Sequence, residues 1–125
     1  MEIKRLLTNI CSADLDASKQ FYTSLFAFDV RYDSDWFVHL CTEKTDLELG
    51  LIRDRHEIVP AEASGAISGV YLTFVVADVD LLYDQCLTSG YQIIQAPQPT
   101  PYGQKRMLLR APEGTVCDVS TPMKV

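Results

Sequence analysis

Ala13-Asp14-Leu15-Asp16 returns almost unchanged as Ala77-Asp78-Val79-Asp80, and the chain around each copy passes through the same order of elements. A tetrapeptide match alone is near chance level; a match in register with a repeated element order means one structural unit used twice. In the first half an alternating stretch from Ile3 to Cys11 reads as a strand. Leu15, Ser18, Phe21, Tyr22 and Leu25 then fall at helical spacing, with Asp14 placed to cap the first turn and Asp16 adding favourable charge at the helix N-terminus. The helix is predicted to end near Phe26-Ala27, followed by strands at 28–32, 36–41 and 47–52. In the second half Val70 to Val76 is a β-rich run, Asp78 caps a helix with apolar positions Val79, Leu82, Tyr83, Cys86 and Leu87, and Gly90 suits its left-handed end. Strands at 91–95, 105–110 and 115–120 complete the copy, with a Pro-rich loop expected at 96–101. Neither half is large enough to cover both faces of a four-stranded sheet alone. The expected fold is α+β: two βαβββ modules forming a curved, cup-like sheet with the helices outside. Module one spans about 1–52, a connecting segment about 53–69 and module two about 70–125, within a single domain covering 1–125.

A chain of 125 residues that is 47% hydrophobic has apolar material for one modest core. Its formal charge of −6 argues against a nucleic-acid or anionic-membrane surface, because phosphate contacts need clustered Lys and Arg. Residues 1–52 hold 5 basic and 9 acidic side chains and the rest 6 and 8, so no charged tail is segregated. The start, Met1 to Leu7, has no signal-like apolar run and no stretch reaches membrane-span length, which predicts a soluble cytoplasmic protein. Cys11, Cys41, Cys86 and Cys117 lie far apart without a Cys-x-x-Cys pair, and are expected as buried free thiols. No nucleophile elbow or phosphate-cradling glycine loop is present in the sequence.

Three stretches carry a family resemblance: "SADLDASKQFYTSLFAF", its counterpart "VADVDLLYDQCLTSG", and the closing strand pair "PYGQKRMLLRAPEGTVCDVSTP". They resemble the glyoxalase / bleomycin-resistance / dioxygenase superfamily, also called vicinal oxygen chelate proteins, over nearly the whole chain. Two turn positions depart from its pattern: Ala27 stands where that family usually has Gly, and Ala111 where it usually has Asp. The resemblance implies a homodimer and, in the metal enzymes, four metal-binding side chains from the first and last strands of each module. By register these positions are Leu7, Glu48, Tyr71 and Asp118. Leu7 has no lone pair, and two carboxylates without a nitrogen partner suit nickel, zinc or iron poorly, although weak magnesium or calcium contact stays open. No resident metal or cofactor is therefore expected.

Some proteins of this fold hold a small molecule without metal, including drug-sequestering proteins, and the resemblance implies an aromatic or cationic ligand here, an antibiotic among the candidates. The candidate ligand-binding residues are Trp36, Glu48, Tyr71, Tyr102, Arg106 and Asp118. Trp36 and Tyr102 are suited to stacking, and the two acids to a cation. The alternative is a lyase, isomerase or dioxygenase-like enzyme of the same superfamily, metal-free or with weakly held divalent metal. There Glu48 and Asp118, facing one another, would raise one pKa and supply a base. His39 is expected as a hydrogen-bonded strand residue and His56 as an exposed one; the face occupied by Arg106 stays open.

Overall fold

The computed structural model describes residues 1–124, which divide into two compact units, Met1–Ile67 and the described residues from Ser68 onward. In the first unit the order is β1 (Thr8–Ser12), α1 (Leu15–Phe26), β2 (Asp29–Asp33), β3 (Phe37–Cys41) and β4 (Glu48–Arg53). The second repeats it with β5 (Leu72–Val75), α2 (Val79–Ser89), β6 (Gln92–Pro99), β7 (Gln104–Arg110) and β8 (Val116–Pro122). Each unit has one four-stranded sheet, ordered β1-β4-β3-β2 and β5-β8-β7-β6. The first and last strands of each unit pair in parallel, and the remaining pairs are antiparallel. This is an α+β fold of two βαβββ units.

The repeated Asp does the same work twice. Asp14 Oδ1 accepts from Ala17 N and Asp78 Oδ1 from Leu81 N, each at 3.1 Å, satisfying an amide that the first helical turn leaves open. In the first unit Ser12 Oγ and Ser18 Oγ, both buried, meet at 2.8 Å and lock the end of β1 onto α1. Phe21 and Tyr22 are fully buried and pack edge to face at 4.9 Å, against a sheet face formed by Ile10, Val38, Leu40, Leu49 and Leu51. In the second unit Val79, Leu82 and Cys86 meet Met107, Leu109, Cys117 and Val119 in the same way. Leu87, assigned to this apolar stripe by spacing, is exposed, and the buried positions of α2 are Val79, Leu82 and Cys86.

Two local expectations change. The Pro-rich loop is a strand: β6 continues to Pro99, at the sheet edge, with register shifts between Ile93 and Gln95 and between Gln95 and Gln98. An edge strand with bulges accepts proline because its outward amides have no ladder partner to lose. The β1 strand is also shorter than the alternation from Ile3 suggests, starting at Thr8. Ala27 caps α1 in the left-handed region, φ 55° and ψ 32°, where Gly90 stands at the end of α2. The Cβ of an L-residue is unfavourable there. Ala27→Gly is expected to stabilise the protein by about 1 kcal/mol in urea titration. Phe21→Ala, which empties the centre of the first core, is expected to cost about 3–5 kcal/mol in the same measurement.

Candidate functional site

With α1 covering one face of its sheet, the opposite face of the first unit presents Asn9 and Cys11 from β1, Phe37, His39 and Cys41 from β3, and Glu48, Gly50 and Ile52 from β4. The segment after β4, expected as a plain connection, folds back over this face. It holds a short 3-10 helix at Ala61–Ala63. Asp54 N donates to Ser12 O at 2.9 Å, Gly65 N donates to Asp54 Oδ1 at 3.1 Å, and the Cys11 thiol reaches Ala63 O at 3.6 Å. His56, expected to be exposed, is half-buried: its ring stacks on Trp36 at 4.4 Å and 13°, and its Nδ1 accepts from Ile58 N at 3.2 Å.

Sheet and segment border a cleft of about 410 Å³ that is open to solvent, lined by Leu7, Asn9, Cys11, Trp36, Phe37 and Ile52 on one side and by Ile58, Val59, Pro60, Ala63 and Ile67 on the other. The volume falls within the range of small-molecule sites. Burial, with the nearby Asp54 carboxylate, pushes the Cys11 thiol above its usual range, so Cys11 is an uncharged wall residue and a poor nucleophile. It is also only partly buried, whereas Cys41, Cys86 and Cys117 are buried as expected.

Of the predicted site residues, Trp36 lines this cavity, with one ring face occupied by His56. Glu48 lines a second, polar recess of about 370 Å³ with Lys4, Arg5, Arg31 and Asp46. Arg5 Nε donates to Glu48 Oε2 at 2.8 Å and Arg5 Nη2 to Oε1, while His39 Nε2 lies 2.7 Å from Oε1. A carboxylate only accepts, so the His39 ring nitrogen donates. His39 is thus the hydrogen-bonded strand residue that its setting suggests. Arg5 foremost, and His39 after it, hold the Glu48 carboxyl down to about 2, against the opposing effect of burial. Glu48 is a fixed anion, the opposite of a carboxyl tuned to act as a base.

Tyr71, Tyr102, Arg106 and Asp118 belong to the second unit. Ladder register puts Thr73, Arg106, Leu108, Asp118 and Ser120 on the sheet face opposite α2, which settles the face of Arg106. Its Nη1 donates to the Tyr102 hydroxyl at 3.4 Å, and Tyr102 itself stands 62% exposed in the turn before β7. Tyr71 is equally exposed. Asp118 is 6% exposed; Thr73 Oγ1 donates to its Oδ2 at 3.2 Å, and its buried Oδ1 has no partner among the described residues.

These donors do not fit a resident transition metal. Leu7 is a hydrocarbon wall, Glu48 is engaged by a guanidinium, and Tyr71 is a phenol standing in solvent. Among the described residues no group of three or more His, Cys, Asp or Glu side chains converges on one point. Arg5 and Asn9 escaped the sequence reading for different reasons. Asn9 shares strand parity with Leu7, a usable signal, whereas nothing local joins Arg5 to a carboxylate 43 positions away.

The Glu48 pairing has a pH signature. Its carboxyl is lowered in the fold, so the stabilisation is complete above the ordinary value of 4.5 and is lost as pH falls toward about 2. In urea titrations across this range, the stability difference between the protein and its Glu48→Gln variant is expected to close as pH drops.

The model of the Glyoxalase/Bleomycin resistance protein/Dioxygenase superfamily matches residues 4–119. Among solved structures, a glyoxalase/bleomycin resistance protein/dioxygenase family enzyme from Burkholderia phytofirmans PsJN is 26% identical with a TM-score of 0.79, covering 94% of this chain and 97% of its own. A hypothetical protein from S. aureus is 20% identical, with a TM-score of 0.80 and coverage of 97% and 95%. A lactoylglutathione lyase from Agrobacterium tumefaciens is also 20% identical, with a TM-score of 0.70 and coverage of 94% and 92%. These last two share the fold. No curated protein matches the sequence. No helix among the described residues is long and apolar enough to cross a membrane. The family match over almost the full length, together with two βαβββ units whose first and last strands pair in parallel, makes this chain a member of the glyoxalase/bleomycin resistance/dioxygenase superfamily.

Proposed function

We propose that the protein is a metal-free small-molecule-binding member of this superfamily and that its ligand is a compact aromatic molecule held in the cavity of the first unit. One observation carries the reading: Leu7, at a position where the superfamily's metal enzymes place a metal-binding side chain, is instead part of an apolar wall around a volume of about 410 Å³. Apolar and aromatic walls with few polar groups favour binding by burial of apolar surface. A planar antibiotic small enough for this volume is one ligand of the class. The acidic residues do not line this cavity, so the reading favours an aromatic ligand over a cationic one. We retain a homodimer as part of the proposal.

Trp36 is the single tryptophan and reports directly on occupancy. Titration with a planar aromatic such as 2-naphthol is expected to change Trp36 emission and raise the melting temperature, since a ligand bound only by the folded state stabilises it. The response is expected to persist in excess chelator. Cys11→Phe, which fills the cavity from the sheet side, is expected to weaken binding at least about tenfold, equivalent to about 1.4 kcal/mol. An unchanged affinity in that variant would reject the cavity as the site.

A second reading, a metal-free lyase or isomerase, rests on Asp118. Its buried Oδ1 has no partner among the described residues, and an unsatisfied buried acceptor supports a role in taking up a hydrogen bond or proton. Asp118→Asn is expected to abolish turnover of any identified substrate while leaving naphthol binding unchanged; retained turnover ends this reading.

A further inference from the structure

We infer that Asn9 sets the specificity of the first unit's cavity and that the ligand it selects is a neutral planar molecule bearing one hydroxyl or carbonyl group. The inference rests on the cavity being the ligand site, as proposed above.

Among the described residues no Asp, Glu, Lys, Arg or His side chain lines this cavity. Besides the indole N–H of Trp36, which can only donate, its polar side chains are Asn9 and Cys11, and Cys11 is already directed at Ala63 O. The Asn9 carboxamide has no hydrogen-bond partner among the described residues. Its placement depends on the residue opposite it in the parallel ladder, Gly50. A Cβ at Gly50 would sit 2.2 Å from Asn9 Oδ1 and 3.0 Å from the Phe37 ring. Glycine therefore creates the berth in which the carboxamide lies across β4 beside that ring, on the cavity floor. An amide offers both donors and acceptors, so it pairs equally with a hydroxyl or a carbonyl. Asn9 is exposed in the cavity, so a ligand lacking such a group displaces water from the carboxamide and returns no hydrogen bond, which discriminates against it. A charged ligand finds no counter-ion and loses its hydration on entering.

The test uses matched naphthalenes followed by Trp36 fluorescence and calorimetry. The protein is expected to bind 2-naphthol about tenfold tighter than 2-methylnaphthalene, and 2-naphthoate or 2-naphthylmethylammonium at least about tenfold more weakly than 2-naphthol. Asn9→Leu is expected to erase the preference for 2-naphthol while keeping or improving 2-methylnaphthalene binding. Gly50→Ala, which displaces the amide without removing it, is expected to reduce the same preference. A naphthol preference that survives Asn9→Leu, or its absence from the unmodified protein while both compounds bind, overturns the role of Asn9 and leaves the cavity reading standing. Failure of all four compounds to perturb Trp36 at millimolar concentration overturns both. Asn9 is solvent-accessible, so Asn9→Leu is expected to melt cooperatively near the parent temperature, and Gly50→Ala gives an independent check if it does not.

Discussion

A four-stranded sheet has two faces, and a single helix covers one. The burial of Phe21 and Tyr22 against β3 and β4 spends the helix on one side of the first unit, and every other feature of that unit follows from the face left over. That face is too apolar to stand open, with Phe37, Ile52 and Leu7 on it. The segment after β4 supplies a cover, pinned by Asp54 at both ends of its path and by the Trp36–His56 stack at its start. Pinning at a few points, with small residues Ala63 and Gly65 between them, leaves space between cover and sheet. The cavity is thus a consequence of incomplete coverage and needs no separate device to hold it open.

Charge follows the same division. The charged side chains of the open face gather at one end, where Arg5 and His39 hydrogen-bond to Glu48. Glu48 is a carboxylate on the open face, but its lone pairs are committed to a guanidinium and an imidazole. The pair is partly exposed, so its contribution is modest and screened by salt; its main effect is to remove Glu48 from acid–base chemistry near neutral pH. On the last strand of the second unit, Asp118 accepts from Thr73 through Oδ2, while its Oδ1 has no partner among the described residues. The carboxylates on β4 and β8 therefore differ in chemistry, one satisfied and one with an open acceptor.

Much of the fold was legible because the repeat carries its own internal check. Asp14 and Asp78 mark two helix starts, and the cap hydrogen bonds are alike in both. Short-range patterns of this kind depend on backbone geometry within a few residues. The Pro-rich stretch was misread for a related reason: proline forbids a central strand but not an edge strand, and edge position is a property of the sheet. Leu87 has helical spacing yet stays in solvent, since spacing defines a stripe without saying how wide the opposing surface is. Trp36 was identifiable as an aromatic wall, whereas its pairing with His56 required the intervening strands to bring the two rings together.

By itself the sequence determined the two βαβββ units and the helix caps, because each depends on residue type at a fixed offset from a local signal. Tertiary structure decided which residues converge. It set Arg5 on Glu48, laid Asn9 over Gly50, and turned the connecting segment into a cavity wall. Those outcomes depend on long-range register and on which sheet face the helix has already taken, and neither is encoded by the spacing of neighbours along the chain.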